Sequence, residues 1–418
     1  MLTRFRTTVV SPLETLELTE RSMGSRARTR TLLEEPHAEH AQRPSSVVRP
    51  ELASEIQRLG AEKLARCYNC GTCTAICPLS KERVEFPRIL IRHAILGLED
   101  KLLSSPSLWL CYYCGECSDT CPRDADPGAF MMAARRYAIR KYSWGKLASI
   151  FYGNSVSSAA GLFFTTLVAF LGVLLLRGPA VFSPVNLQQF FSFEIIHNAG
   201  LLLGAFVGLG ALANLAIMAK QIGTGRRAEI SPRKKLGVWF STLVASVIRE
   251  SLAQIGYLKC TNRNRYFAHM ALFWGFLGMS VATMIDFLVG TGNVPLIPVP
   301  PQRVLGLASG IAFCCGATYY VYKRVRRDEQ HVRFSHFTDW AFVLLLFLSG
   351  ISGLLLTTTL YTNSNLAAYS LYAFHLVVVF DLIVLAPFTK FAHAIYRPLA
   401  IWMNEAAANI SRLKGGTS

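Results

Sequence analysis

The stretch Cys67-Tyr-Asn-Cys70-Gly-Thr-Cys73-Thr-Ala-Ile-Cys77-Pro78 decides how the first third of this chain is read. A second run, Cys111-Tyr-Tyr-Cys114-Gly-Glu-Cys117-Ser-Asp-Thr-Cys121-Pro122, repeats its cysteine, glycine and proline spacing. Eleven cysteines in an extracellular protein would suggest disulfides. Eight of them in two tight, identical runs suit thiolate ligation in a reducing compartment instead.

Each run has the spacing of bacterial ferredoxins, in which three close thiolates wrap one [4Fe–4S] cubane. The fourth cysteine, directed away by the following proline, ligates the other cluster. The expected sets are therefore Cys67, Cys70, Cys73 and Cys121 for one cluster, and Cys111, Cys114, Cys117 and Cys77 for the second. A pair of zinc sites is the competing chemistry, but zinc seldom uses this four-cysteine run twice with a trailing proline each time. Between the runs, Phe86–Leu103 has helical apolar spacing and is expected to pack beneath the clusters. His93 in it reads as a helix-surface residue rather than a ligand.

Outward from the cysteines the composition changes. The chain of 418 residues is 52% hydrophobic, too apolar for an ordinary soluble protein, and its length suggests two or three domains. The apolar stretches begin near residue 158, which puts a domain boundary at Trp144–Ser158. Six of them, roughly 159–176, 195–219, 266–289, 304–322, 340–361 and 366–389, approach the about 20 residues that cross a bilayer. With the cysteine-rich head in the cytoplasm, the inner connections 220–265, 323–339 and the tail from Lys390 carry nineteen Lys and Arg, while the outer ones carry only Arg177 and Arg303. That asymmetry predicts an inner-membrane protein with both termini cytoplasmic. It also accounts for the net charge of +17 without nucleic acid. Residues 236–258 would invert every later loop if they spanned, and Arg249 and Glu250 interrupt them; they read as an amphipathic helix on the cytoplasmic surface.

The predicted fold is thus all-α and membrane-embedded. Residues 1–50 form a poorly ordered arm without a signal-peptide core, residues 51–145 an α-helical ferredoxin-like domain, residues 158–395 a six-transmembrane-helix bundle, and residues 396–418 a cytoplasmic tail. Cys314 and Cys315, inside a span, read as small packing residues, and Cys260 is unassigned.

Ionisable side chains inside spans are costly and usually functional. His375 and His393 are 18 residues apart on the expected sixth span, which is five full helical turns, so both would share one face about 27 Å apart along the axis. That geometry suits two stacked b-type haems. Depth alone pairs His197 with His375 near the outer surface and His269 with His393 near the inner one, with His336 as a competitor for the inner site. No C-x-x-C-H occurs, so any haem is non-covalent.

With these residues in hand, the chain resembles the C subunits of quinone-interacting membrane-bound oxidoreductase complexes. From about Leu59 to Lys141 the head is similar to the C-type subunits of heterodisulfide reductases, through ARCYNCGTCTAICP, HAILGLEDKLL and WLCYYCGECSDTCP. The membrane part resembles the cytochrome b (γ) subunit of respiratory nitrate reductase, through RYFAHMALFWGF and the His375/His393 spacing. That cytochrome places two ligands on one early helix, whereas here Met279 stands ten residues beyond His269. The resemblance implies two [4Fe–4S] clusters, one or two b haems, and a menaquinone or ubiquinone pool as electron source or sink. It implies heterodisulfide reductase A-like flavin and iron–sulfur subunits as soluble partners, with adenylylsulfate reductase downstream.

Quinol oxidation releases protons, so a quinol site needs an acceptor near a haem. Asp381, deep in the sixth span, is the first candidate, and Asp286 and Glu194, near the outer ends of spans three and two, are the others. Two rival functions stand beside this one. One is a haem-free iron–sulfur anchor, or the membrane subunit of another heterodisulfide reductase-like complex. The other is a self-contained reductase, against which the chain shows no nucleotide fingerprint and no P-loop.

Overall fold

A computed structural model describes residues 47–80, 87–180, 185–225, 236–259, 263–289, 300–361 and 365–415. Most of the expected N-terminal arm, and Cys260, lie outside that set. Residues 47–418 form one unit, helical and without a strand among the described residues.

In the head, short helices surround one longer helix, Pro127–Tyr142. Its start is well specified: Asp126 caps it by accepting from the Ala129 amide at 3.1 Å, and Pro127 occupies the first turn, where a missing N–H costs nothing. Phe130, Ala133, Ala134, Tyr137 and Ala138 are fully buried around it, so it is the axle of the head. The predicted 86–103 helix is two helices, Arg88–Ile95 and Glu99–Leu103. Gly97 separates them at φ +70, and a Cβ there would stand 2.5 Å from the Arg49 carbonyl oxygen.

Six helices are long and apolar enough to cross a membrane: Ser155–Leu176, Phe193–Gly223, Arg263–Leu288, Pro301–Arg326, Phe337–Thr359 and Leu366–Val384. They make this a multi-pass membrane protein. Spans three and four pack antiparallel at close range. A Cβ on Gly275 would lie 2.7 Å from the Phe313 amide, and one on Gly316 would lie 2.6 Å from the Ala268 carbonyl. Small residues let the two backbones touch, as in lipid they must if packing is to hold helices together. Cys314 packs against Gly350 on span five, and Cys315 is exposed.

Two expectations change. The sixth span stops at Val384, so His375 and His393 do not share one straight helix. Pro387 has no N–H to donate and its ring crowds the carbonyl four residues back, which breaks the rod. A 3₁₀ turn, Lys390–Ala392, then leads into a separate helix, His393–Gly415. That C-terminal helix is no loose tail. Tyr396, Ala400 and Met403 on it join Trp109 and Tyr142 of the head in one core, to which Met218 and Ile222 of span two also belong. The Trp109 and Tyr396 rings are 5.1 Å apart and those of Tyr142 and Tyr396 5.6 Å. The segment after residue 235 forms a helix at Leu236–Ser246, a π-helical turn at Val247–Leu252 and a 3₁₀ turn at Ile255–Lys259. It lies along the C-terminal helix: Trp402 Nε1 donates to the Trp239 carbonyl at 3.0 Å.

Candidate redox centre where the head meets the spans

The two cysteine runs fold alike. Asn69 and Tyr113, each just before the second cysteine of its run, are left-handed at φ 59 and 55. Gly71 and Gly115 follow at φ 96 and 101, a conformation open in practice only to glycine, and each caps a short helix, Thr72–Ile76 or Glu116–Asp119. The run therefore curls around its own cysteines. Main-chain amides point at sulfur: Asn69 to Cys67 at 3.4 Å, Tyr113 to Cys111 at 3.3 Å, and Ala125 to Cys121 at 3.4 Å. Such N–H···S contacts stabilise thiolates and tune the potential of a cluster they hold.

For three of the thiols, Cys73, Cys111 and Cys117, the neighbouring sulfurs come from both runs. Burial pushes the Cys73 thiol up to about 11, and the thiols that add to the effect are Cys67, Cys70 and Cys121. Cys111, also raised by burial, has Cys114 and Cys77 as its sulfur neighbours. Cys117, raised by burial again, is surrounded by Cys111, Cys114, Cys73 and Cys77. Among the described residues no three His, Cys, Asp or Glu side chains converge as closely as a single ion demands.

Cys70 is exposed, whereas Cys111 lies at the wall of a cavity of about 280 Å³. That cavity opens between the second run and the head-side ends of the spans. Tyr112, Tyr113, His269, His393, Glu250 and Asp339 share its lining. The imidazoles of His269 and His393 face each other across it, 6.5 Å between centroids and 65° between planes. That spacing fits two imidazoles sharing one metal ion, so His269 and His393 would hold a haem iron, which would supply one-electron chemistry. His393 Nδ1 donates to the Lys390 carbonyl at 2.6 Å, which leaves Nε2 free to ligate and fixes the ring. Burial pushes this imidazole down to about 4, so it is neutral at physiological pH, the metal-binding form. Tyr257, from the 3₁₀ turn, stacks on His269 with centroids 5.3 Å apart.

Arginines knit the second run to this cavity. Arg135 donates to the Leu108 carbonyl at 2.8 Å and the Cys111 carbonyl at 2.6 Å. Burial lowers it to about 10, still a cation. Arg397, four residues after His393, forks to the Cys111 and Leu110 carbonyls at 3.1 and 3.2 Å. Arg265, four residues before His269, donates to the Tyr113 carbonyl. Tyr112 in turn donates to Glu250, in the π turn. Arg135, Arg136, Arg265, Arg324, Lys390 and Arg397 line the cavity against the two carboxylates of Asp339 and Glu250. Six cations against two carboxylates leave the cavity wall net positive, so the site suits an occupant that carries negative charge.

The other predicted residues are dispersed. His336 is not in the cavity wall; its Nδ1 lies 3.0 Å from Thr338 Oγ1 and its ring 5.5 Å from that of Tyr152. His197 stacks on Phe287, 4.6 Å between centroids, while His375 Nδ1 lies 2.8 Å from Ser352 Oγ, so these two imidazoles stand in separate contacts. Asp381 is buried and accepts from Thr166 Oγ1 of span one at 2.6 Å, and its Oδ1 is buried without a hydrogen-bond partner. Asp286 and Glu194 are exposed. Sequence reasoning missed the arginine forks, Asp339, Glu250 and Tyr257. Their only local signal was charge placed next to a span end or a cysteine run.

Comparison with known proteins agrees with this division of labour. A 4Fe-4S dicluster domain matches residues 63–125. The citrate utilization protein B family matches residues 191–412, more than half of the chain. The chain belongs to that family. The match spans the second to sixth spans, the π turn and most of the C-terminal helix, and so contains His269, Glu250, Asp339, His393 and Arg397. The head is similar to a protein of Archaeoglobus profundus that is like the C-type subunit of heterodisulfide reductase, 39% identical over 126 residues, 28% of this chain and 67% of that protein. It is also similar to the C-type subunits of the H2:CoB-CoM heterodisulfide, ferredoxin reductases of Methanothermobacter thermautotrophicus and Methanothermobacter marburgensis. Each of these is 37% identical over 71 residues, 16% of this chain and 38% of the relative. This family member is accordingly an iron–sulfur component of an oxidoreductase complex, carried on a membrane domain.

Proposed function

We propose that this chain carries electrons between a membrane quinone, menaquinone or ubiquinone, and soluble flavin and iron–sulfur subunits bound to a cytoplasmic head at the inner membrane. The observation that carries the reading is the shared cavity: His269 and His393 face each other in the same cavity whose wall includes Cys111 and Tyr113. Haem and iron–sulfur clusters, when bound, supply one-electron chemistry. Cys67, Cys70, Cys73 and Cys121 would hold one [4Fe–4S] cluster, and Cys111, Cys114, Cys117 and Cys77 the second. His269 and His393 would hold a b haem, with Arg265 and Arg397 offsetting its carboxylates. A second b haem would take His197 and His375 as its ligands, as depth in the spans suggests, so the reading is of one or two haems, the inner one near the head. Asp381 is the proposed quinol proton acceptor; its unpartnered oxygen supports that role.

The test is direct. The purified chain should show a b-type absorption spectrum that a soluble quinol analogue reduces. Asp381→Asn keeps the size of the side chain; it should leave the spectrum intact and slow quinol-driven haem reduction at least tenfold. A purified chain with clusters and no haem absorbance would make it a haem-free anchor. Undiminished reduction in Asp381→Asn, Asp286→Asn and Glu194→Gln would move the quinol site toward Lys390.

The family match favours a second reading of the soluble partner. Its name refers to citrate utilization, so the partner would be an oxidoreductase acting on citrate or a related tricarboxylate rather than a heterodisulfide reductase A-like subunit feeding adenylylsulfate reductase. Reduction or oxidation of the clusters by a soluble cell fraction, dependent on added tricarboxylate and not on thiols, would select it.

A further inference from the structure

We propose that Asp339 is a positioning residue that ties the seating of the head to the orientation of His393. The proposal rests on the haem reading of the His269–His393 pair. One buried carboxylate serves three parts of the chain at once. Oδ2 of Asp339 accepts from Arg136 Nη2 at 2.6 Å, and Arg136 belongs to the axial helix of the head. Oδ1 pairs with Lys390 Nζ at 3.0 Å, in the turn that follows the break at Pro387. Oδ2 also accepts from the His336 main-chain amide at 3.1 Å and so closes the first turn of span five. The side chains of Asp339 and Arg136 are 4% and 6% exposed, so water screens this pair little.

The chain of contacts does not end at the carboxylate. On the head side, Arg136 Nη1 continues to the Leu59 carbonyl at 2.7 Å. On the other side, the Lys390 carbonyl is the acceptor for His393 Nδ1. Leu59, Arg136, Asp339, Lys390 and His393 therefore form one series of direct polar links from the head to the imidazole. The partner of a ligand's second nitrogen sets ring orientation and ligand strength, and its loss typically lowers metal affinity by about 10–100-fold. If Asp339 loses its charge, Arg136 and Lys390 lose the anion they share. That unties the Lys390 turn from the head, and the His393 ring turns with it.

The experiment compares haem and cluster signals in the intact, membrane-extracted protein. Asp339→Asn should shift the EPR g values of the oxidised haem and lower its occupancy about tenfold or more, while both cluster signals persist. Arg136→Gln, on the far side of the carboxylate, should shift the same g values in the same direction, and Asp339→Glu should restore most of the haem. The Arg136 variant keeps the test open if Asp339→Asn does not accumulate. Unchanged g values and haem content in Asp339→Asn, or in Arg136→Gln with intact clusters, would overturn the positioning role. An unmodified protein without haem would instead overturn the functional reading on which it rests.

Discussion

Arg397 lies with its guanidinium carbon 3.7 Å above the centroid of the Tyr112 ring, while the same guanidinium forks to the Cys111 and Leu110 carbonyls. A planar, delocalised cation is needed to stack and fork at once; a lysine ammonium can do neither as well. Arg397→Lys keeps the charge and should still destabilise the head by on the order of 2 kcal/mol, the scale of hydrogen bonds to a charged group. Thermal melting of the extracted protein measures this. A redox titration followed by EPR should also show a lower potential for the cluster nearest Cys111.

Cys121→Ser should damage the cluster built on Cys67, Cys70 and Cys73, because Cys121 acts on the Cys73 thiol of the other run. Iron content and EPR of the two clusters measure it. Loss of the Cys111 signal with retention of the other would show that each run closes on itself.

His269→Ala and His393→Ala should each abolish the same b-type absorbance, since the two rings face each other across one space. His336→Ala should keep it, because that imidazole is turned toward Thr338 and Tyr152. His375→Ala should leave the same absorbance in place, and a halved haem content in that variant would establish a second haem.

The head should weaken in acid. Burial alone would raise the Glu99 carboxyl, but hydrogen bonds from Lys141, Tyr137 and Arg49 outweigh it and hold the group below the usual carboxylate range. A depressed folded-state value contributes stability above the ordinary carboxylate pKa of about 4.3, and that contribution is lost as pH falls through the folded-state value. Melting temperature between about pH 7 and pH 3 should therefore fall more steeply in the unmodified protein than in Glu99→Gln.

The cysteine runs were legible because ligation chemistry is written locally: four thiols, a glycine and a proline at set offsets. The six spans were legible because bilayer thickness sets a length. The facing of His269 and His393 was reachable from depth alone. Pro387 is visible in the sequence, but the 18-residue spacing of His375 and His393 points to a rod where the chain in fact turns. The Arg136–Asp339 pair, 203 residues apart, has no local signature, and neither does the stacking of Tyr257 on His269. Both depend on which elements the tertiary fold brings together.

The link from Arg397 to the Cys111 carbonyl bridges 286 residues of chain. At about 5–20 residues per second, synthesis of that interval takes roughly 15–60 seconds. Through this time the cysteine runs have left the ribosome while Trp109 and Tyr142 still lack the Tyr396 ring that closes their core, and the bundle is being inserted helix by helix. The core of the head is thus completed only after the last span has been made, when the C-terminal helix brings Tyr396 to it. A cell that slowed translation late in this message would lengthen that wait without changing a single residue.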